Sequence, residues 1–375
     1  MSALVVSHVD AITPLGSTWN ETWRRLCLGP PATRSRAIWL SEGSLAVPVM
    51  NVPSTTRNIE ASVPLTGATG RLIRTLLERL PESCKNLPIY IGTAHGETDI
   101  LLDALRASLN GEPIDGHTWR WLLFDSLASL GDKREARMSY SACTSGMHAL
   151  ASAAVDIDND VVEGAIVLGV DALSIFGIAG FVRTGAMKDS PCSPFSETNG
   201  GTVISEGVGV LVVKKTEPAV DSIVMRSVAM SCDAGHATLP DPTGKYLEAC
   251  WHDAIRRANI TPSDVDIVIF HGSGTRANDE TELAVYHRVF GDTMPLATAL
   301  KGCLGHTMGA SGIHNCIAAI EALRSGALPP VGDMSHVRNG NFVSGMVRDF
   351  SGKHALVSCS GFGGNNVAAI FGLEK

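Results

Sequence analysis

Cys143 is the residue of this chain whose type and setting most directly suggest chemistry. It lies in the segment SACTSG at 141–146, between a strand-like run at 136–140 and a run of small and apolar residues at 147–155 that predicts a helix. A thiol at the amino end of a helix faces free N–H groups and the positive end of the helix dipole, which favour the thiolate and lower its pKa. The thiolate is the nucleophile of covalent catalysis. The alternative is a buried cysteine that packs as a small hydrophobic side chain.

A histidine leaves a predicted buried strand in a second segment. His271 follows the apolar run at 267–270 and begins the loop HGSGT at 271–275. A side chain that leaves a buried strand for a loop of Gly, Ser and Thr is placed over a cleft rather than in a core. We therefore predict a functional role for His271, with an ordinary turn histidine as the alternative.

Lys301 and His306 occupy a third segment, KGCLGH at 301–306, which precedes an apolar helical run at 313–323. The glycines and small residues from 302 to 312 permit close approach of the backbone to a neighbour. A lysine at such a place is more often a surface charge, so a functional role for Lys301 depends on its neighbours.

Phe362 lies in a fourth segment, GFGG at 361–364, which follows a predicted strand at 354–357. A bulky ring flanked by glycines suits a mobile loop. The alternative is a plain hairpin turn, which the letters GGNN at 363–366 also favour.

Short apolar runs that alternate with helical stretches must position these segments. Such runs lie at 89–92, 165–169, 209–213 and 267–270, and the alternation predicts an α/β fold with buried strands. The segment around Cys143 and the segment 295–323 share one plan: a strand, a polar loop and a helix of small residues. We therefore expect two similar halves, 1–216 and 217–375.

Taken together, Cys143, His271, Lys301 with His306, and GFGG at 361–364 resemble the β-ketoacyl-acyl carrier protein synthase family, in its elongating branch with a Cys-His-His site. The resemblance runs from 12–16 to the carboxyl terminus. It implies the thiolase fold, in which two similar halves form five layers, α-β-α-β-α. The half at 1–216 would carry the nucleophile, and the half at 217–375 the two histidines.

The resemblance also implies a reaction. Cys143 takes an acyl group from the phosphopantetheine arm of an acyl carrier protein, and the backbone N–H groups of Cys143 and Phe362 form the oxyanion hole. Malonyl-carrier protein then loses carbon dioxide while His271 and His306 hydrogen-bond the enolate. Lys301 orients the site and adds positive charge. The carbanion attacks the acyl thioester and gives a β-ketoacyl product on the carrier protein.

Other residues take roles only through this resemblance. Ser273 and Thr275 match positions where the family places hydroxyls near the pantetheine arm. Phe362 matches the gating phenylalanine, and Gly361 and Gly363 beside it are expected to contact the substrate.

Departures from the family pattern hint at a specialised pathway. His95 stands in GTAHG at 92–96, where the family usually has an aliphatic gate. We expect it to point toward the acyl chain, which a polar or conjugated chain tolerates better than a saturated one. The interval between 111 and 142 is contracted, and SPFS at 193–196 replaces the usual Arg-Pro-Phe-Asp. A type II polyketide or polyene pathway is thus an alternative to fatty-acid synthesis.

Two other functions compete with a condensing enzyme. The first is a chain-length-factor-like subunit that shapes the pocket of a heterodimer without catalysing; such subunits typically lack the nucleophilic cysteine, which is present here. The second is a thiolase that uses coenzyme A, since the glycine-rich stretch after His306 is similar in style and Cys359 lies near the place of a second thiolase cysteine. The loop that begins at His271, together with Lys301, favours the synthase.

Composition limits the remaining classes. The chain has 375 residues, 45% of them hydrophobic and 18% charged, which predicts a folded protein. A formal charge of −8 argues against a general nucleic-acid binder. We see no membrane span, no signal peptide and no metal-type spacing among nine scattered cysteines, so we predict reduced thiols in the cytoplasm. We expect no cofactor or metal, an acyl carrier protein as partner, and a homodimer or a heterodimer with a chain-length-factor subunit.

Overall fold

The structure, a computed structural model, describes residues 2–29, 34–40, 43–52, 68–113, 136–187, 192–197, 201–332, 339–344 and 348–375. All structural statements below concern these residues. Most of the interval that the family resemblance marks as contracted, 114–135, lies outside them.

Strands and helices alternate along the chain. The strands are β1 (Ala3–Ile12), β2 (Arg34–Leu40), β3 (Gly43–Met50), β4 (Ile89–Gly92), β5 (Ala136–Ser139), β6 (Gly164–Asp171), β7 (Ile204–Ser205), β8 (Gly207–Thr216), β9 (Ile223–Cys232), β10 (Ile267–Ile269), β11 (Leu296–Thr298), β12 (Ala327–Leu328), β13 (Arg348–Asp349), β14 (His354–Gly361) and β15 (Asn365–Leu373). The helices are α1 (Trp19–Leu26), α2 (Ala68–Arg79), α3 (Thr98–Leu109), α4 (Ser145–Asp158), α5 (Ile175–Arg183), α6 (Lys245–Arg257), α7 (Arg276–Phe290), α8 (Lys301–Leu304) and α9 (Ser311–Ser325). This confirms the predicted α/β class.

One ten-stranded sheet runs through the molecule in the order β11-β10-β14-β15-β9-β1-β8-β6-β4-β5. Its two sets of five strands repeat the same order and the same directions. In the first set β4 is parallel to β5 and β6, and β8 is antiparallel to β6 and β1. In the second set β10 is parallel to β11 and β14, and β15 is antiparallel to β14 and β9. The sets meet where β1 pairs with β9, so the chain contains two halves with the same strand topology.

Helices cover both faces of each half-sheet. α4 and α9 lie between the half-sheets and share a core with both, in which Tyr90 and Val167 come from the first half and Ile269 and Val357 from the second. α2 covers the outer face of the first half, and α6 and α7 cover that of the second. The layers therefore follow the predicted order α-β-α-β-α. α9 is buried on almost every side, as its apolar sequence requires.

The carboxyl ends of the parallel strands lead directly into the segments that carry the candidate catalytic residues. Cys143 follows β5, His271 follows β10, Lys301 follows β11, and Phe362 follows β14. Ligands of α/β sheets bind outside the carboxyl ends of parallel strands, since loops of neighbouring strands meet there.

Gly92 at the end of β4 allows α4 to begin directly against the sheet. A Cβ on Gly92 would lie 2.2 Å from the carbonyl of Ser145 and 2.3 Å from the nitrogen of Gly146. We expect Gly92→Ala to destabilise the fold by roughly 3 kcal/mol, because backbone would have to move. Gly180→Ala in α5 is the matched control: no described residue lies within 4 Å of its added Cβ, so we expect a gain of about 0.5–1 kcal/mol. Denaturant unfolding measures both, and equal stability of Gly92→Ala and wild type would contradict this contact.

None of the helices in the described residues is both long and apolar enough to cross a bilayer.

Candidate active site

Cys143 lies in a tight turn between β5 and α4. Ala142 has a φ of 49°, a left-handed conformation that is uncommon outside glycine. Ser145 holds the turn: its Oγ accepts from the N–H of Ser141 at 2.8 Å and donates to the carbonyl of Ala142 at 2.6 Å. Cys143 directly precedes Thr144, the N-cap residue of α4, and is only 4% exposed.

The net effect on the Cys143 thiol is opposite to the one expected from the helix terminus. Burial raises its pKa to about 11. The charge of Lys301 and the backbone N–H groups of Phe362 and Cys143 act in the other direction and lower the pKa. The prediction of a lowered pKa was wrong because enclosure of the sulfur removes the water that would stabilise a thiolate.

Alkylation of Cys143 should therefore depend strongly on pH. The thiolate is the reactive form, so the rate with iodoacetamide is expected to rise about tenfold per pH unit from about pH 7 to about pH 10. Lys301→Met should slow the reaction at each of these pH values, because Lys301 lowers the thiol pKa. Peptide mapping with Cys143→Ala as a blank follows the labelled site. A rate that is already constant at about pH 8 would contradict the raised pKa.

His306 directs one edge of its ring at this sulfur. Its Nε2 lies 3.1 Å from Cys143 Sγ, and its Nδ1 accepts from the N–H of Met308 at 3.2 Å. Since Nδ1 is an acceptor, the neutral ring carries its proton on Nε2. Burial, and then the charge of Lys301, lower the pKa of His306 well below its usual value. His306 is therefore a neutral hydrogen-bond donor toward Cys143.

His271 has the same protonation pattern. Lys301 Nζ lies 3.3 Å from His271 Nδ1 and donates to the His271 carbonyl at 2.5 Å. An ammonium group has no acceptor lone pair, so Nδ1 accepts and Nε2 carries the proton. Burial first, then Lys301 and His306, lower the pKa of His271 well below its usual value. The two imidazole rings meet edge to face with centroids 5.5 Å apart.

Glu282 on α7 anchors the loop that begins at His271. Its two carboxylate oxygens accept from the N–H groups of His271 and Gly272 at 3.0 and 2.7 Å, and from Ser358 Oγ at 2.9 Å. The side chain is fully buried, and burial raises its pKa. The backbone of His271 is therefore fixed independently of its ring.

The aromatic ring of Phe362 covers the site. It stacks on Phe181 of α5, with centroids 5.2 Å apart and planes at 18°, and the Phe181 ring meets His306 edge to face at 5.8 Å. Phe362 belongs to the hairpin turn between β14 and β15, where Gly363 and Gly364 have φ of 83° and 76°. The segment is thus a hairpin turn that also carries an aromatic ring over the sulfur.

A cavity of about 200 Å³ connects these groups. Cys143 lines it together with the two histidines and Phe362, and Ser273 and Thr275 lie along its wall with their hydroxyl oxygens 2.7 Å apart. The remaining lining residues are Phe181, Thr184, Gly185, Ala186, Thr202, Asp233, Thr238, Leu239, Pro240, Ala277, Asn278, Ser360, Gly361, Gly364 and Asn366.

Comparison with known proteins identifies this arrangement. The family description "Beta-ketoacyl synthase, N-terminal domain" matches residues 136–219, and "Beta-ketoacyl synthase, C-terminal domain" matches residues 223–335. The 3-oxoacyl-[acyl-carrier-protein] synthase 2 of Mycobacterium leprae is 31% identical over 313 residues, which cover 76% of this chain and 74% of that protein. The chain belongs to the β-ketoacyl synthase family.

Matches over the full length agree with this membership. The 3-oxoacyl-[acyl-carrier-protein] synthase 2 of Synechocystis sp. is 25% identical and covers 98% of this chain and 97% of that protein. The structure of the ketosynthase ApeO with its chain length factor ApeC, from Xenorhabdus doucetiae, superposes with a TM-score of 0.85 at 24% identity, over 99% of this chain and 98% of that chain. The thiolase fold expected of this β-ketoacyl synthase is confirmed.

The structure brings Cys143, His271, Lys301 and His306 into one cluster, as the sequence predicts for the synthase. Their individual roles remain predictions. Gly361 lines the cavity, whereas Gly363 does not.

His95 does not line the cavity either. Its Nδ1 lies 3.1 Å from Asp171 Oδ1, without the geometry of a hydrogen bond, and its ring packs near Gly177 of α5. The expectation that His95 meets the acyl chain stays a prediction.

Sequence reasoning missed three residues that shape the site. Phe181 lies under Phe362, Glu282 holds the His271 loop, and Asp171 at the end of β6 accepts from the N–H groups of Ala94 and Gly309 at 2.9 and 2.6 Å. Asp171 thereby ties a loop of the first half to a loop of the second. The signal for Asp171 was a carboxylate at the end of an apolar strand run, whereas Glu282 and Phe181 had no such signal.

Proposed function

We propose that this β-ketoacyl synthase condenses an acyl group, held as a thioester on Cys143, with the carbanion left when malonyl-acyl carrier protein loses carbon dioxide. One observation carries the proposal. The Cys143 sulfur faces two backbone N–H groups on one side and the Nε2–H edge of a neutral histidine 3.1 Å away on another, with a second neutral histidine beside it. Hydrogen-bond donors in a buried site stabilise the oxyanions of acyl transfer and decarboxylation.

Acyl transfer to the enzyme comes first. The Cys143 sulfur attacks the thioester carbonyl, the carbonyl oxygen becomes negative, and the N–H groups of Cys143 and Phe362 hold it. The carbon–sulfur bond to the pantetheine breaks, and the leaving sulfur takes the proton that the thiol releases. His306 is not the base for this proton, because its Nε2 already carries one and its Nδ1 accepts from Met308.

Condensation follows on the same sulfur. The bond between the malonyl carboxylate and the α-carbon breaks, and carbon dioxide leaves. The electron pair of that bond stays on the α-carbon as an enolate, whose oxygen accepts hydrogen bonds from His271 and His306. Both histidines must be neutral yet carry a proton on Nε2, and the Lys301 ammonium beside His271 Nδ1 supports that state. The enolate carbon then attacks the acyl carbonyl on Cys143, and the thiolate leaves.

An acyl carrier protein is the proposed partner, with its pantetheine arm along the wall formed by Ser273 and Thr275. The chemistry asks for no cofactor beyond that arm, and we propose none. The proposed acyl substrate is a fatty-acid, polyketide or polyene chain, and the cytoplasm is the predicted location.

A catalytic subunit suits this chain better than a chain-length-factor-like one, since Cys143 has both its oxyanion donors and its histidines. A heterodimer is still a proposed assembly, because the matched ApeO structure contains a chain length factor. The alternative partner is a second copy of this chain.

We predict a dimer in solution. In the described part of the chain, β5 is the terminal strand of the large sheet, Tyr140 directly after it is 52% exposed, and Val155 on α4 is 55% exposed. Covering an open strand edge and apolar side chains favours association. Light scattering of the purified protein, alone and with a chain-length-factor subunit, measures the mass. An active monomer at about micromolar concentration would contradict the prediction.

A thiolase is disfavoured by the place of Cys359. Its thiol is fully buried, points at the carbonyl of Cys143 at 3.4 Å, and does not line the cavity. A second thiolase cysteine would have to reach the substrate.

Product analysis tests the proposed reaction. The purified protein is incubated with acyl-carrier protein and carboxyl-labelled malonyl-carrier protein, and both carbon dioxide and the β-ketoacyl product are measured. Synthase activity predicts one carbon dioxide per product. Condensation of two acyl-coenzyme A molecules without carbon dioxide would establish a thiolase instead. If neither occurs alone but the first occurs with a chain-length-factor subunit, the protein is the active half of a heterodimer.

A further inference from the structure

Asn315 is a buried amide side chain on α9 to which the condensation assigns no step. It is 2% exposed and does not line the cavity. Its Nδ2 donates to the carbonyl of Phe270 at 3.0 Å and to the carbonyl of Ser358 at 3.4 Å. A buried amide costs free energy unless it is hydrogen-bonded, so these two contacts hold the side chain in place.

The orientation of this amide is fixed by its partners. Both partners are backbone carbonyl oxygens, which can only accept, so the NH₂ group and not Oδ1 must face them. One hydrogen of the NH₂ group serves each carbonyl. Turning the amide over would place Oδ1 against two oxygens, and neither contact involves a hydroxyl that could rotate.

The two carbonyls lie where β10 and β14 separate. The parallel pairing of these strands ends one residue earlier on each of them. Beyond Phe270 the chain continues to His271, and beyond Ser358 it continues toward Phe362. Asn315 therefore joins the two segments at the edge of the sheet that faces the catalytic cluster.

The peptide group between Phe270 and His271 is held at both of its polar atoms. Its carbonyl accepts from Asn315 on α9, and its N–H donates to Glu282 on α7 at 3.0 Å, from the opposite face of the half-sheet. Ser358 is held from the same two sides, because its Oγ donates to Glu282 at 2.9 Å. A peptide group fixed at both ends cannot rotate, so the direction in which His271 leaves the strand is set.

We propose that Asn315 is a positioning residue for His271. By holding the Phe270 carbonyl it fixes the backbone from which the His271 ring reaches the enolate oxygen, without touching the substrate itself. A donor displaced by about 1 Å can cost about 10²-fold in rate. The proposal rests on the proposed function for its kinetic consequence but not for its effect on the loop 271–275.

Asn315→Leu should lower the kcat of malonyl-carrier protein decarboxylation by about 10- to 100-fold, because leucine keeps the branching of asparagine but cannot donate to Phe270. Acylation of Cys143 should stay within about threefold of wild type, since the oxyanion-hole side is held only through the longer contact to Ser358. Carbon dioxide release and intact mass measure the two steps.

Asn341→Leu is the matched control. Asn341 Nδ2 also donates to a backbone carbonyl, that of Met294 at 2.8 Å, but it does so before the amino end of β11, away from the catalytic cluster. This variant should decarboxylate like wild type, and a loss equal to that of Asn315→Leu would overturn the proposal. If Asn315→Leu does not fold, Asn315→Ala, which needs less room, replaces it, with Asn341→Ala as its control.

A second change at His271 separates positioning from a general effect on the fold. In a protein that already carries His271→Ala, adding Asn315→Leu should lower the residual decarboxylation by less than about twofold, because the ring through which Asn315 acts is absent. A loss as large as in the wild-type background would overturn the proposal, and so would full activity of Asn315→Leu alone.

Hydrogen exchange tests the contact without catalysis. Peptides that cover 270–275 should exchange faster in Asn315→Leu than in wild type or Asn341→Leu, since release of the Phe270 carbonyl loosens the N–H groups of the loop. Unchanged exchange would overturn the proposal. If wild type decarboxylates nothing, alone and with a chain-length-factor subunit, the proposed function fails, while hydrogen exchange still shows whether Asn315 holds this loop.

Discussion

Cys143→Ala is expected to abolish acylation of the protein and to lower condensation by at least about 10³-fold. The thiol is the nucleophile, and neither water nor a neighbouring hydroxyl can form the same intermediate between the N–H groups of Cys143 and Phe362. Intact-mass measurement after incubation with acyl-carrier protein shows the adduct, and product formation gives the rate.

Cys84→Ala is the matched control for this loss. Cys84 is also a buried thiol, but it packs under α2 in the outer core of the first half. We expect the Cys84→Ala protein to be acylated on Cys143 to the same extent as wild type. An acyl adduct on Cys143→Ala would place the nucleophile elsewhere.

His306→Ala and His271→Ala should separate the two half-reactions. Acylation should proceed within about tenfold of wild type, because neither ring is the base for the thiol, whereas decarboxylation should fall by about 10²- to 10⁴-fold with the loss of a donor to the enolate. Intact mass reports the first step and carbon dioxide release the second. His252→Ala, at an exposed position on α6, is the control. A His306→Ala protein that stays unacylated would show that His306 acts on the thiol.

The pH dependence of decarboxylation follows from the same geometry. The pKa of His271 and that of His306 are both held well below the usual value. Protonation would place a proton on Nδ1, where Lys301 or Met308 now donates, and the acid limb should therefore lie below the pKa of an ordinary histidine.

Alternating apolar and helical runs were enough to predict the α/β class, and the resemblance to the synthase family predicted that Cys143, His271, Lys301 and His306 belong to one site. In the structure, Cys143, His271 and Lys301 follow β5, β10 and β11, so the carboxyl ends of parallel strands lead into the site. The sequence showed the repeat only weakly, as the same succession of strand, polar loop and helix around Cys143 and in 295–323.

Properties that depend on enclosure could not be predicted in the same way. The helix terminus and Lys301 both favour a Cys143 thiolate, yet the net pKa rises because the sulfur is buried under Phe362 and Phe181. The orientation of His95 depends on how α5 packs, which no local pattern encodes.

The most direct test of the account is the fate of an acyl group on Cys143. The purified protein is acylated with acyl-carrier protein, freed of excess reagent, and mixed with malonyl-carrier protein while intact mass is followed. We predict that the acyl mass disappears as the β-ketoacyl product and carbon dioxide form in equal amounts, and that His306→Ala keeps the acyl mass. An acyl group that remains on wild-type Cys143, alone and with a chain-length-factor subunit, would contradict a condensing enzyme.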